Sequence, residues 1–256
     1  MDEVIPIINS IRNGEHQNLL FQGPAGCGKT AIAKMVAKKS GHRQSIQIPV
    51  NGNINWGKIP DFWVNIIDEI HEFKQFENLY PLMDAGENTF LFCTTEYGEA
   101  PEPFLSRCIR FTFEPYILDD LIRITQAYSK SRGYSFRDKE SYRLIAEAAR
   151  GSPRLAKQRF DRIKRMLSHY GQIPNAENVK FVLNRIGIYN FGYTAEDMRY
   201  MEYLKALPAS SLDNLSRALR IDKNTIAKEI EPYLLEKGNI LITSKGRKFI
   251  KWPDIE

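Results

Sequence analysis

The chain has 256 residues, 43% of them hydrophobic, which is material for two or three packed domains and excludes a disordered tail. Three cysteines, Cys27, Cys93 and Cys108, lack metal-ligand spacing and leave an odd count, which excludes a secreted disulfide scaffold and points to a reducing compartment. The net charge of +5 leans toward a polyanionic partner, while the acidic start at Asp2 and Glu3 and the short apolar runs lead to an expected cytoplasmic location without membrane attachment.

In chain order, the apolar run Asn18–Gln22 reads as a buried strand, and Ala31–Lys39 carries apolar residues at helical spacing. Between them stands Gly23-Pro24-Ala25-Gly26-Cys27-Gly28-Lys29-Thr30, a G-x-x-x-x-G-K-[ST] loop in the strand-to-helix setting that phosphate binding requires. Gly26 and Gly28 let successive N–H groups turn inward around an anion, and the helix behind them adds its N-terminal partial charge. Gly23, Pro24 and Cys27 complete the cradle. Lys29 supplies a full positive charge to the β- and γ-phosphates, and the Thr30 hydroxyl suits Mg²⁺. The expected ligand is a nucleoside triphosphate.

Ser45–Val50 is expected as a second strand and 51–58 as a loop. The run Trp63–Ile67 is a third strand and ends in Asp68-Glu69. A metal bridging phosphate oxygens wants one carboxylate, and hydrolysis wants another to polarise the attacking water, so Asp68 is assigned to Mg²⁺ and Glu69 to the water. The competing assignment is that both cap a helix starting near His71. His71, Glu72 and Glu77 are expected to be solvated or supporting residues. Further strands at Thr89–Thr94 and Ile109–Phe113 imply a mostly parallel sheet with its chemistry at the strands' carboxyl ends.

From Glu114 no strand-like run appears before residue 187, and apolar residues fall at helical spacing. One helix is expected to open with Ser152 as N-cap and Pro153 at its first position. After residue 188, Thr194 and Asp197 form an acidic capping box. Then Ser211–Leu219 and Asp222–Ile230 have helix-turn-helix spacing, followed by strands at Ile240–Thr243 and Lys248–Lys251 around a Gly-containing loop. This is the pattern of a winged helix. Lys245, Arg247 and Lys248 arm the hairpin for nucleic-acid phosphates, although such modules also dock proteins. The resulting division is an ATPase-type α/β domain at 1–113, a helical lid at 114–187 and a winged helix at 188–256.

The order of these motifs resembles an AAA+ ATPase, and the detail is similar to the RuvB family of Holliday-junction branch-migration motors. Ile67-Asp68-Glu69-Ile70-His71 matches that family's I-D-E-I-H, and Leu79-Tyr80-Pro81-Leu82-Met83 resembles its L-Y-P-A-M. Gly151-Ser152-Pro153-Arg154 resembles G-T-P-R, while Glu231-Pro232-Tyr233-Leu234 and Lys245-Gly246-Arg247 resemble E-P-Y-L and the R-G-R wing. The resemblance implies ATP and Mg²⁺ as cofactors and a P-loop AAA+ parallel-sheet domain with a helical lid and a C-terminal winged helix. It also implies a homo-oligomeric ring, a hexamer in the family, acting on duplex or four-way-junction DNA. Position by position it makes Thr95 the sensor of the γ-phosphate, Arg154 the lid-domain sensor and Arg107 the arginine finger offered to a neighbouring subunit. Arg110, a rival for that finger, falls inside a strand.

Three departures limit the carry-over. Only residues 1–17 precede the first strand, where the family has a longer segment. The stretch between Met83 and Leu91 is too short for the protruding hairpin that engages RuvA, so a RuvA-like partner does not carry over. Ser106-Arg107-Cys108 is spelled as in clamp loaders. A clamp-loader-like or helicase-loader-like switch is therefore the alternative, and a nucleotide-responsive DNA-binding regulator is a third possibility that the presence of both Asp68 and Glu69 argues against.

Overall fold

The structure, a computed structural model, describes residues 4–59, 63–96, 98 and 100–253. Contacts divide the chain into two compact units, residues 1–116 and 117–256.

In the first unit, β1 (Asn18–Gln22), β2 (Gln44–Gln47), β3 (Val64–Ile67), β4 (Thr89–Thr94) and β5 (Ile109–Thr112) form one sheet in the order β2-β3-β4-β1-β5. Every pairing is parallel. The cause lies in the side chains: Leu19, Phe21, Val64, Ile66, Leu91 and Cys93 go to one face and Leu20, Ile67, Phe90 and Phe92 to the other. Strands apolar on both sides need cover on both. On the first face α1 (Val4–Arg12) and α2 (Lys29–Ser40) supply Ile8, Ile11, Ala33, Val36 and Ala37. On the second, Ile59, Ile70 and Phe73 close the core with Met83 from α3 (Tyr80–Ala85) and Phe104 from α4 (Glu102–Leu105).

Boundaries differ from the sequence expectation in places with physical causes. The second strand stops at Gln47 rather than Val50, just before Pro49, which has no N–H to pair. The helix expected near His71 is a single 3₁₀ turn, Ile70–Glu72. The 51–58 loop ends in another, Trp56–Lys58.

In the second unit α5 (Leu118–Ser131), α6 (Lys139–Glu147), α7 (Pro153–His169) and α8 (Ala176–Arg185) pack around Phe136, Ile145, Phe160, Ile163 and Val182. Helix α7 opens as its sequence dictates, with Pro153 in the first turn and Ser152 Oγ accepting the Leu155 N–H at 3.4 Å. The same unit continues into α9 (Ala195–Lys205), whose Thr194–Asp197 capping box is complete, and α10 (Leu212–Leu219). The next helix does not stop at Ile230. It runs from α11 (Lys223–Thr225) through a π-helical stretch, Ile226–Ile230, into α12 (Glu231–Glu236). Pro232 cannot donate to the ladder, and a local π register is one way a helix absorbs that loss. The hairpin of β6 (Ile240–Thr243) and β7 (Gly246–Phe249) completes the winged helix.

Its second strand begins two residues earlier than expected. Gly246 has φ +114° and packs against Ser210, where a Cβ would stand 2.5 Å from the Ser210 oxygen. Ser210 and Arg247 then exchange backbone hydrogen bonds of 2.9 and 2.8 Å. Only glycine permits that approach.

Candidate active site

The glycine loop follows β1, whose neighbours on either side are β4 and β5. Gly23 sits so close to Phe113 that a Cβ would lie 2.4 Å from the Phe113 oxygen, and its N–H donates to Thr94 O at 3.2 Å. These contacts tie the loop to the ends of both neighbours. Gly26 and Gly28 have φ of +81° and +96°, the left-handed backbone that turns successive N–H groups inward.

Lys29 is only 5% exposed, and its ammonium donates to the carbonyls of Gly23 at 2.7 Å and Pro24 at 2.9 Å. Burial pushes its pKa down, while the charge of Glu69 is the largest influence holding it up. A cation desolvated this far, with neutral oxygens as its only hydrogen-bond partners among the described residues, is matched to an anionic ligand. The Thr30 hydroxyl faces Asp68, 3.0 and 2.9 Å from its two carboxylate oxygens. One hydroxyl and one carboxylate within reach of a phosphate cradle form a donor set of hard oxygens that fits Mg²⁺, which is usually completed by phosphate and water rather than by a full protein cage. No group of three or more His, Cys, Asp or Glu placed to hold a metal ion by themselves exists among the described residues.

Asp68 leaves β3 with its N–H bonded to Gln47 O at 2.9 Å, and it accepts the Glu69 N–H at 3.2 Å. Glu69 itself has φ +54° and ψ +47°, a left-handed conformation that a non-glycine residue adopts at a cost. Its Oε2 is buried without a hydrogen-bond partner among the described residues and lies 3.5 Å from His71 Nδ1. Of the two roles expected for His71, solvated or supporting, the second fits: its side chain is 12% exposed, and its Nδ1 is also 3.2 Å from Thr94 Oγ1. The 3₁₀ turn is what swings it back toward the sheet. Thr95 follows Thr94, which is paired with Gln22 immediately before the loop, so Thr95 leaves the sheet beside the phosphate cradle.

Two further residues, Tyr116 and Asp84, escaped the sequence reading. The Tyr116 hydroxyl stands over the loop, 3.8 Å from where a Gly28 Cβ would be, and no local pattern marks it. Arg107 is held by Asp84 and Tyr80, and its contacts are with α3 and with Pro103 rather than with the glycine loop. Arg154 is the second residue of α7 and exposed in the second unit.

On the hairpin, Lys245 is exposed at the turn and Lys248 lies opposite the exposed Leu241. Arg247 requires a correction. It was expected in the loop at the hairpin tip, among the cations that reach phosphates, but it is a strand residue on the same face as Phe249, which packs against the core, and alternation turns it inward. Its Nε and Nη2 bond Glu231 Oε1 and Oε2 at 2.8 and 3.2 Å, and the buried Tyr200 hydroxyl donates to the same carboxylate at 2.8 Å.

A glycine cradle after a strand flanked by β4 and β5, with a carboxylate pair closing β3, defines a P-loop ATPase of the AAA class. Residues 19–117 match the ATPase family associated with various cellular activities (AAA), and residues 190–251 match the RuvB C-terminal winged helix domain. The chain belongs to the RuvB family. It is 31% identical to the Holliday junction branch migration complex subunit RuvB of Campylobacter concisus, over 92% of this chain and 80% of that one. It is 30% identical to the Campylobacter hominis protein of the same name, over 90% and 77%. The fold is similar to that of the Thermotoga maritima RuvB Holliday junction branch migration motor, with a TM-score of 0.81, 22% identity, and coverage of 98% and 92%. A more distant likeness, with a TM-score of 0.58, 13% identity, and coverage of 72% and 90%, is to domain III of the replication initiation protein DnaA of the same organism. No helix among the described residues is long and apolar enough to cross a membrane.

Proposed function

We propose that this chain is an ATP-driven motor of the branch-migration type. It hydrolyses ATP between subunits of a homo-oligomeric ring, a hexamer, and moves duplex DNA at a four-way junction. The observation that carries the reading is the convergence of Thr30, Asp68 and Glu69 on the glycine cradle, with one buried Glu69 oxygen that has no hydrogen-bond partner among the described residues. The relatives' names add the substrate.

In this reading Lys29 exchanges its loop carbonyls for β- and γ-phosphate oxygens, for which it is already desolvated. Thr30 and Asp68 would hold Mg²⁺, which would neutralise phosphate charge when bound. Glu69 orients the water that attacks the γ-phosphorus and takes its proton as the bond to the β–γ bridging oxygen breaks. His71 keeps that carboxylate in register with Thr94, and Thr95 meets the γ-phosphate. Arg107 from a neighbouring subunit and Arg154 from the lid stabilise the charge on the transferred group.

Lys245 and Lys248 are the DNA contacts of the hairpin, whereas Arg247 fastens the hairpin to α12. Each phosphate contact releases condensed counterions, so the Lys245→Ala/Lys248→Ala double variant is expected to flatten the log–log salt dependence of duplex binding by roughly 1.8 per engaged subunit. An unchanged slope in a fluorescence anisotropy titration would place the DNA elsewhere.

The whole reading is tested by steady-state ATP hydrolysis with and without four-way junction and linear duplex, with assembly followed by light scattering. Turnover is expected to rise on DNA together with ring formation. Turnover indifferent to every DNA overturns the motor and favours a loader acting on a protein ring.

A further inference from the structure

The arginine proposed as the finger is not loose. Arg107 Nε and Nη2 donate to Asp84 Oδ1 and Oδ2 at 2.8 and 3.0 Å, Nη1 donates to Pro103 O at 2.7 Å, and the guanidinium carbon lies 4.9 Å from the Tyr80 ring centroid. Tyr80 and Asp84 are i and i+4 on α3, so ring and carboxylate form adjoining walls of one helix face. Three of the five N–H donors are engaged, leaving one on each terminal nitrogen.

We propose that Asp84, with Tyr80 beside it, is the positioning residue of the arginine finger, fixing the guanidinium plane so that its two remaining donors present themselves to the nucleotide of a neighbouring subunit. The inference rests on the reading of Arg107 as a finger in trans. A long arginine side chain free in solvent must lose its rotamer freedom on each engagement, and a bidentate carboxylate removes most of that loss beforehand. The hydrogen bond to Arg107 holds the Asp84 carboxyl below its usual range, and the same bond raises Arg107. Because the folded-state value of the acid is depressed, the clamp is present above the ordinary carboxylate range and is lost only as pH falls below it, so it persists across neutral pH. The pair is partly solvent-exposed, the Asp84 side chain more than the Arg107 one, which makes it a weak contributor to stability and a poor candidate for a purely structural role.

The test combines kinetics with subunit mixing. Asp84→Ala is expected to lower kcat about tenfold, with KM for ATP and the thermal midpoint unchanged, since misplacing a catalytic group acts on the chemical step. In an Arg107→Ala background the same substitution is expected to cost nothing more. Mixing Asp84→Ala subunits with Glu69→Gln subunits, which are inactive themselves but carry an intact clamped finger, should restore turnover, as it should for Arg107→Ala. Wild-type kcat in Asp84→Ala overturns the proposal. So does an Asp84→Ala defect that Glu69→Gln subunits fail to rescue while they do rescue Arg107→Ala, because Asp84 would then be acting within its own subunit. Failure to rescue Arg107→Ala itself overturns the finger assignment beneath it.

Discussion

Glu69→Gln is expected to lower the rate of ATP hydrolysis about a thousandfold while ATP still binds. The wild-type carboxylate has one buried oxygen with no hydrogen-bond partner among the described residues, only the His71 ring 3.5 Å away, on a residue whose backbone is held left-handed at the end of β3. A backbone conformation of that kind is retained only where neighbours over-determine it, here the Asp68 carboxylate on the Glu69 N–H and His71 on the side chain. Glutamine keeps the size and the position but has no basicity, so the water loses its proton acceptor. Binding depends on other groups: the glycine loop, the Lys29 ammonium, and the Thr30–Asp68 pair. Single-turnover hydrolysis beside a fluorescent-nucleotide titration separates the two quantities. A variant retaining more than about a tenth of wild-type turnover would remove Glu69 from the role of base, and one that also failed to bind ATP would show that its charge holds Lys29 in place rather than acting on water.

The glycine loop and Asp68–Glu69 were legible in the sequence because their physics is local. Positive φ at Gly26 and Gly28 and a run from buried strand to helix fix the cradle within about ten residues. The Ser152 cap and the Thr194–Asp197 box were readable for the same reason. Arg247 was misplaced because the start of β7 is set at a distance, by the close approach of Gly246 to Ser210, and a shift of two residues in a strand boundary decides whether a side chain sits on a tip or in a ladder. His71, Tyr116 and Asp84 share a different obstacle. Each matters through a partner that only the tertiary fold supplies: Thr94 on another strand, Gly28 nearly ninety positions away, and Arg107 beyond β4.

Within the second unit, the largest stability effect is expected at Asp197. Its carboxylate is fully buried and serves two masters: it accepts the Thr194 N–H at 2.6 Å and hydroxyl at 2.8 Å as the capping box of α9, and it pairs with the Arg150 guanidinium. Arg150 has φ +49°, donates through Nε to Gly192 O at 2.8 Å, and lies 3.9 Å over the Tyr233 ring, so the turn that follows α6 is joined to both α9 and α12. A second guanidinium adds to the demand. Burial and the neighbouring Arg150 bring Arg159 down to about 10, with Asp197 pulling the other way, and Arg159 Nη1 is buried without a partner. Removing the one carboxylate leaves two cations facing each other in a desolvated place. Asp197→Ala is therefore expected to destabilise the fold by about 3–5 kcal/mol, the range for breaking a buried pair from one side. For a unit of this size that is a fall in thermal midpoint of roughly 6–20 °C. Asp197→Asn, which can still accept the Thr194 bonds, should fall less, and the difference between the two isolates the cap from the charge. Equal midpoints for wild type and Asp197→Ala by calorimetry would mean that water reaches Arg150, and that the lid helices and the winged helix are joined by apolar packing alone.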